Sequence, residues 1–362
     1  MKTGVIIIGA GFAGLTLSHL LQGKGIEHVL LQRRGPQPGL ALAETLPPSC
    51  LAYLQKLNLL DLFERHAIGQ TRGYHSIWGQ ERVADTNFFF HRPFQYGLKI
   101  DKRAILAALA QQQAPHLLTY DKHLQVHCAA DAAGVDFTVD GQSHSLSGQL
   151  LVDASGRNRM VLKQLGIDAD DFDDLLAFSC HLPRVNHPAL THSVFIETFA
   201  AGWGIVSALN EQENVMTLFS GQSRGPLGKY AGWAAALADT RYLRDFLSGD
   251  AATRVHGARA NSSKAQTLAG PRWLALGDAA MSFDPLSSHG ISNALYTARQ
   301  AGEAIERFLK QGDAHALPEY AASLSAIFGQ YLRGKNQLYA NERRWAYAPF
   351  WQSRQTQVAA AA

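Results

Sequence analysis

Val5-Ile6-Ile7-Ile8-Gly9-Ala10-Gly11-Phe12-Ala13-Gly14 decides the fold of this chain. Four apolar, mostly β-branched residues in succession are the composition of a parallel strand buried on both faces. The glycines at 9, 11 and 14 fit a dinucleotide fingerprint: a tight turn, close backbone approach to a pyrophosphate, then close helix–strand packing. Phe12–Leu21 reads as the helix that follows, and its N-terminus offers unpaired N–H groups and a positive dipole end to phosphate. Val29-Leu30-Leu31 is a second buried strand, which completes a βαβ unit of about 30 residues. The opening of the chain is Rossmann-like.

A dinucleotide is too long for one loop to hold, and a second motif has its glycine, Gly277, 263 residues beyond Gly14. It begins as Trp273-Leu274-Ala275-Leu276-Gly277-Asp278-Ala279-Ala280 and continues as Asp284-Pro285-Leu286-Ser287-Ser288-His289-Gly290-Ile291. A carboxylate after a strand-like run can accept hydrogen bonds from the ribityl hydroxyls of a flavin. Backbone N–H groups at 289–292 would open a helix whose dipole favours negative charge, and a reduced flavin carries that charge at N1. Apolar positions 291, 295, 298, 302, 305 and 309 mark one face of this helix. Together the two motifs place a flavin at both ends of the chain.

One position departs from the fingerprint. The acid expected about 20 residues on, for ribose hydroxyls, is Gln32 here, followed by Arg33 and Arg34. An amide accepts more weakly than a carboxylate, so loose cofactor retention is expected. The paired arginines read equally as phosphate contacts or as solvated surface.

Between the motifs, Asp101 can cap a helix over Lys102–Ala110, and Leu150-Leu151-Val152 reads as a further buried strand. Tyr74–Trp78 and Arg82–Asp85 resemble a hairpin around Gly79-Gln80. Residues 175–220 hold several strand-like runs without helical period, material for an antiparallel sheet. Residues 313–340 are helical in character and the tail 352–362 reads as frayed.

Composition excludes several function classes. The 362 residues suggest one large domain or two. Charged residues make up 17%, below the usual quarter or so, and the net charge of +3 is scattered rather than striped. That argues against nucleic acid. Cys50, Cys128 and Cys180 form neither a disulfide framework nor a zinc motif, and with no basic n-region before the first strand a cytoplasmic protein is expected. The apolar run 5–21 is short and broken by glycines, so no membrane span is expected. His123 and His127 flank strand-like residues that would hold them roughly 13 Å apart, and no metal is expected. There is no Gly-x-Ser-x-Gly elbow, no Gly-Lys-Ser/Thr loop and no second dinucleotide fingerprint.

The fingerprint, Asp153-Ala154-Ser155-Gly156-Arg157 and Gly277-Asp278 resemble, in order and spacing, the single-Rossmann flavin monooxygenases. That superfamily includes the aromatic hydroxylases and the flavin-dependent halogenases, and the resemblance spans residues 4–310. It implies an α/β fold: a Rossmann-like FAD-binding domain of the aromatic-hydroxylase (GR2) type, an inserted antiparallel-sheet substrate domain and C-terminal helices. The expected boundaries are 1–72, 96–165 and 265–312 for the FAD-binding domain, 73–95 and 166–264 for the substrate domain, and 313–362 for the helical segment. FAD is the implied cofactor. The residues implied to hold it are Gly9, Gly11, Phe12, Ala13, Gly14, Gln32, Arg33, Glu44, Arg103, Val126, Asp153, Gly156, Gly277, Asp278, Pro285, Ser288, Gly290 and Ile291. Among them Arg103 would contact phosphate or flavin, Val126 would meet adenine through its backbone, and Asp278 would take the ribityl chain.

Four further segments narrow the resemblance: Ala43–Ser49, Tyr74–Gly79, Asp284–Ile291, and Glu342-Arg343-Arg344-Trp345 with Pro349-Phe350-Trp351 and Arg354. They are similar to halogenase-like flavoproteins that mature tryptophylquinone enzymes, such as the partners of lysine ε-oxidase, glycine oxidase and quinohemoprotein amine dehydrogenase. The likeness implies a monooxygenase that hydroxylates a tryptophan of a precursor protein of a quinone-cofactor oxidase or dehydrogenase, through a flavin C4a-(hydro)peroxide. NAD(P)H or a separate flavin reductase would supply electrons. Halogenation fits poorly, because residues 71–79 contain no lysine and Trp-x-Trp-x-Ile-Pro is replaced by Gly202-Trp203-Gly204-Ile205-Val206-Ser207. His75, Trp78, Trp203 and His289 are the candidates for lining the catalytic pocket, each also readable as plain packing. Segments 74–98 and 194–206 are expected as its walls, with Phe88-Phe89-Phe90 as an exposed docking patch. The rival readings are a hydroxylase of a small aromatic, a geranylgeranyl-reductase-like flavin reductase, and a flavoprotein scaffold.

Overall fold

The computed structural model describes residues 2–35, 40–129, 132–187, 190, 193–221, 226–238, 240–247 and 253–359. The first half runs β1 (Lys2–Ile8), α1 (Phe12–Gly23), β2 (His28–Arg33), β3 (Glu44–Leu46), α2 (Pro48–Lys56), α3 (Leu60–Arg65), β4 (Ala67–Thr71), β5 (Gly73–Ile77), β6 (Ala84–Asn87), β7 (Gly97–Ile100), α4 (Lys102–Gln112), β8 (Leu117–Tyr120), β9 (Leu124–Cys128), β10 (Ala133–Val139) and β11 (Gln142–Asp153). Then follow α5 (Met160–Gln164), β12 (Ala169–Asp171), β13 (Leu176–Pro183), β14 (Ser193–Phe199), β15 (Gly202–Ala208), β16 (Glu213–Ser220), α6 (Tyr230–Ala235), β17 (His256–Arg259), β18 (Ser263–Ala265), β19 (Ala269–Gly270), β20 (Trp273–Ala275), β21 (Met281–Ser282), α7 (Gly290–Gln311), α8 (Ala316–Ala340) and α9 (Pro349–Ala359).

The main sheet has the order β19-β20-β11-β1-β2-β8, and β10 and β9 extend it from β11 as an antiparallel meander. Val5–Ile8 are wholly buried because β1 is flanked on both edges by parallel partners and covered on both faces. The register sets Ile8 beside Leu31 on one side and Asp153 on the other, while Asp153 also pairs with Ala275. These strands therefore end at one edge of the sheet, the edge outside which open α/β sheets bind their ligands. Helix α7 lies on α1 at close range: a Cβ on Gly302 would stand 3.6 Å from Leu20 Cβ.

A second sheet, β17-β13-β16-β15-β14-β5-β6, gathers the 73–87 hairpin and the strands of 176–259. Its pairs are antiparallel except β5 with β14. Two further three-stranded sheets are β12-β18-β21 and β3-β7-β4. Among the described residues no helix is long and apolar enough to cross a membrane.

Three local expectations are corrected. The returning hairpin strand is Ala84–Asn87, paired Tyr74 with Thr86, two residues later than the hydropathy pattern indicates. Its turn is displaced because the Gly79 N–H is drawn to the Glu342 carboxylate at 2.8 Å. Phe88–Phe90, expected as an exposed docking patch, is a single 3-10 turn, because Asn87 accepts from Phe89 N–H and ends the strand. Phe88 is buried edge-on against Tyr74, while Phe89 and Phe90 are 58% and 84% exposed. Finally, the tail is a helix through Ala359. Pro349 opens it, buried Trp351 donates to Phe199 C=O at 2.9 Å, and Arg354 lies 3.7 Å over the Phe350 ring while pairing with Asp174. Residues 360–362 lie outside the described part.

Glu342 binds this C-terminal segment to the second sheet. Its carboxylate is wholly buried and accepts from Gly79 N–H, Thr198 Oγ1, and Arg344 N–H and Nε. Burial works to raise this carboxyl, and Arg344, Gly79 and Thr198 overcome it, so the group sits below the ordinary glutamate range.

Candidate cofactor and active site

The two distant motifs meet. Gly9, at φ +111°, leaves β1 so close to β11 that a Cβ would stand 2.4 Å from Ala154 C=O. Gly14 has no room either, since its Cβ would be 1.9 Å from Gly9 C=O. Gly277, at φ +59°, packs on α1, with a Cβ position 2.8 Å from Ala13 Cβ, and its N–H is fixed by Thr297 Oγ1 at 2.8 Å. Gly11 is the opposite case. Nothing lies within 4 Å of where its Cβ would be, and no side chain caps α1. The first-turn N–H groups of α1 therefore face open space, an anion cradle in form. The N-terminus of α7 repeats the arrangement: Gly290 has open space at its Cβ position and no side chain caps the helix. Two open helix N-termini are the form of donor set that a dinucleotide with an anionic ring would require.

Asp278 stands between them. Its side chain is 38% exposed, and Arg157 Nε lies 3.8 Å from Oδ2. Lys102, Arg159 and Glu44 are close enough to act on its charge, and Lys102 pairs with Glu44 at 3.3 Å. Desolvation by the surrounding protein raises the Asp278 carboxyl against the pull of Arg157, Lys102 and Arg159. Arg157 and Lys102 are not among the cofactor contacts expected from the sequence, although the Gly156-Arg157 pair is a signal that could have flagged the first. Gly156, at φ +67°, has open space at its Cβ position.

Asp153 has a different role from the contact expected of it. Its carboxylate is fully buried and takes four protein donors: Ser155 N–H and Oγ on one oxygen, Val161 and Leu162 N–H on the other. One oxygen is spent on the Ser155 turn and the other on holding α5 to the end of β11, which makes it a support for the cradle. Val126 N–H is likewise taken, by Gln164 Oε1 at 2.9 Å.

Gln32 Oε1 accepts from Ala10 N–H at 2.8 Å, and Nε2 turns to Arg33 C=O. The amide's oxygen is thus engaged with the fingerprint loop, whereas a glutamate would bring a second strong acceptor. Gln32→Glu is expected to tighten FAD several-fold in a fluorescence titration, and the parent to purify with less than stoichiometric flavin. Weaker binding in that variant would remove Gln32 from the ribose site. Of the arginines, Arg34 is engaged by Asp121 and Asp140 and is surface, while Arg33 is exposed. Arg103 lies exposed in the first turn of α4, which Asp101 caps through the N–H groups of 103 and 104.

The four pocket candidates separate. Trp203 is wholly buried, stacked on Phe219 at 4.0 Å between centroids and bonded through its indole N–H to Tyr339 Oη. It is core packing, because its strand faces the C-terminal helices. Trp78 joins the same cluster edge-on to Trp203, Tyr339 and Trp351, with its N–H on Leu338 C=O. His75 keeps a partly exposed side chain 4.0 Å from Asp85. His289 alone sits at the α7 entrance, and burial lowers the proton affinity of its ring. In the preceding loop Pro285–Ser287 forms a 3-10 turn, Ser288 adopts φ +51°, and Ile291 is buried. Asp284 anchors this loop, accepting from Leu286 N–H at 2.8 Å and Tyr339 Oη at 2.8 Å, and burial pushes its carboxyl up to about 6. Tyr331 Oη accepts from Asp284 N–H. Nothing in the spacing of Tyr331 and Tyr339 along α8 announces these bonds.

Residues 2–334 match the family described as FAD binding domain. LodB of Marinomonas mediterranea, named as an FAD-dependent oxidoreductase, is 26% identical over 360 residues, 96% of each chain. Among solved structures, the flavin-dependent halogenase CmlS superposes with TM-score 0.82 at 20% identity, covering 99% of this chain and 70% of that one. QhpG, described as a peptidyl tryptophan dihydroxylase essential for tryptophylquinone cofactor biogenesis, gives TM-score 0.77 at 20% identity over 98% of this chain and 79% of its own.

Proposed function

As the chain belongs to the FAD binding domain family and is an FAD-dependent monooxygenase, we propose that it hydroxylates a tryptophan side chain within a precursor polypeptide, a step towards a protein-derived quinone. The observation that carries this reading is likeness along the whole chain both to LodB and to QhpG, whose described substrate is a peptidyl tryptophan. Exposed Phe89 and Phe90, beside the β6 edge of the second sheet, support a docking surface for a chain rather than for a free small molecule.

We assign 1–72, 96–165 and 265–312 to FAD binding, 73–95 and 166–264 to substrate, and 313–362 to the helical brace. The first-turn N–H groups of α1 at Gly11–Gly14 would hold the pyrophosphate, with Arg103 nearby. Gln32 would meet ribose, Val126 C=O adenine, and Asp278 the ribityl hydroxyls beside Glu44. The α7 entrance, Pro285 through Ile291, would face the ring. Reduced FAD supplies the activation of O₂. Over the reaction one oxygen atom enters an indole C–H and the other leaves as water, with two electrons from NAD(P)H or a flavin reductase and two protons. For its part the protein places the α7 dipole against negative charge. Asp284 fixes the loop that carries those N–H groups, and the reaction requires that water be excluded while an electron-rich ring is held in contact range. An indole needs no strong base, which suits a site without a catalytic dyad.

Incubating the precursor with enzyme, FAD, a reductant and air is expected to add oxygen to its tryptophan peptide by mass spectrometry, with free tryptophan a poor substrate. An unmodified precursor beside efficient hydroxylation of a small aromatic would sink the proposal and leave the monooxygenase intact. Phe90→Ser should raise KM for the precursor about tenfold while kcat holds, the pattern of a lost docking contact.

A further inference from the structure

β6 is the last strand of the second sheet, and one of its edges has no partner strand among the described residues. One bond settles which backbone groups lie along that edge. Phe88 N–H donates to Arg72 C=O at 2.8 Å, and in an antiparallel pair bonded and non-bonded residues alternate. The register sets Thr86 against Tyr74 and Ala84 against Ser76, so these residues bond inward to β5. Asp85 and Asn87 therefore turn their N–H and C=O groups outward, and among the described residues no backbone hydrogen bond ends on them. Residues 85–87 are all exposed. Edge strands are commonly blunted by lysine, proline or a bulge. β6 has none of these.

The surroundings favour one kind of occupant. Just past the strand, the exposed rings of Phe89 and Phe90 meet edge to face at 5.2 Å between centroids. The Arg92 guanidinium folds onto their turn, donating to Phe89 C=O at 3.2 Å and His91 C=O at 2.9 Å. Arg72, bonded through its carbonyl to Phe88, is exposed as well. No Asp or Glu occurs between Thr86 and Ile100, so this end of the edge is apolar and cationic. The acid on the strand itself is Asp85, whose carboxylate lies 4.0 Å from His75 Nδ1. We propose that β6 docks an extended, acidic segment of the substrate polypeptide as an added strand, with an apolar side chain of that segment on Phe89 and Phe90. This rests on the reading that the substrate is a polypeptide. Main-chain bonds to Asp85 and Asn87 give the affinity, and the cationic end sets the direction of the added strand.

The test is an NMR titration of the FAD-loaded protein without reductant. The probes are two synthetic peptides of alternating valine and threonine, one ending in two aspartates and the other in two lysines. The acidic peptide should bind saturably, about tenfold more tightly than the basic one, and should slow hydrogen exchange at the N–H groups of Asp85 and Asn87. Arg72→Glu combined with Arg92→Glu should reverse the preference. Asp85→Pro removes an N–H that β5 does not use, so it should keep the circular dichroism and FAD affinity of the parent and abolish peptide binding. Asp85→Asn removes the charge alone and should bind the acidic peptide at least as well as the parent. Loss in the proline variant therefore reports strand addition rather than electrostatics. Equal affinity for the two peptides, protection elsewhere than at 85 and 87, binding indifferent to Asp85→Pro, or self-association of the free protein through this edge would each overturn the proposal. Docking is read without turnover, so a docked chain that is not oxygenated and an oxygenated chain that does not dock here are distinguishable.

Discussion

Gly11→Val is expected to leave the protein folded and to weaken FAD binding by at least about 100-fold. The position is extended, at φ −82° and ψ −173°, which valine adopts freely, and nothing lies within 4 Å of its Cβ site. In the flavin-free protein the added Cβ meets no atom, so unfolding free energy should change by no more than about 1 kcal/mol. Against the cofactor the side chain occupies the space of the pyrophosphate, whose charge-assisted bonds are worth about 1.5–3 kcal/mol each, and losing two accounts for the affinity change. Gly14→Ala is the contrasting control. Its Cβ would lie 1.9 Å from Gly9 C=O, so it should lose thermal stability and FAD together. Circular dichroism and flavin titration separate the two outcomes. Parent-like affinity in Gly11→Val would falsify the placement of the cradle.

Asp278→Ala should raise the FAD dissociation constant by about 30- to 150-fold, the equivalent of losing hydrogen bonds to one charged acceptor at about 2–3 kcal/mol. Its nearest ion partner, Arg157, is 3.8 Å away and the side chain is 38% exposed, so the fold should tolerate the change. Asp278→Asn retains an acceptor of lower strength and should lie between. The pH dependence has a definite sign. The carboxylate is the form with its acceptors free, and burial raises the pH at which it takes a proton. FAD affinity should therefore begin to fall on acidification above the range of an ordinary aspartate, and this part of the profile should vanish in Asp278→Ala. A profile identical in parent and variant would take Asp278 out of the ribityl site.

What was legible in the sequence was whatever the backbone demands of one residue type. Gly9, Gly14 and Gly277 stand where a Cβ would collide with backbone or with Ala13, so the glycines announced both the turn and the meeting of two segments far apart in the chain. The buried run Val5–Ile8 announced the central strand. What was hidden depends on partners brought by topology. Asp153 reads as a ligand until α5 is seen to take its oxygens. Trp203 reads as a pocket wall until α8 and α9 close over it. The Phe88–Phe90 turn and the tail helix depend on Asn87 and on Trp351 finding Phe199, neither of which leaves a periodic trace.

The position of β1 sets a timetable for synthesis. Its first neighbour, β2, is complete at Arg33, but its second, β11, ends at Asp153, and the Gly277 side of the cradle comes later still. Until then a nascent chain carries a strand with the apolar run Val5–Ile8 and one unpaired edge, a template for association with other chains. Pairing over such separations is slow because loop closure precedes any reward. FAD can favour the native state only once both halves of its site exist, and then by mass action, about 2.7 kcal/mol at a concentration 100 times its dissociation constant. With glutamine in place of the usual acid that excess is harder to reach. The yield of folded enzyme in a cell should thus follow the supply of flavin as well as the rate of translation.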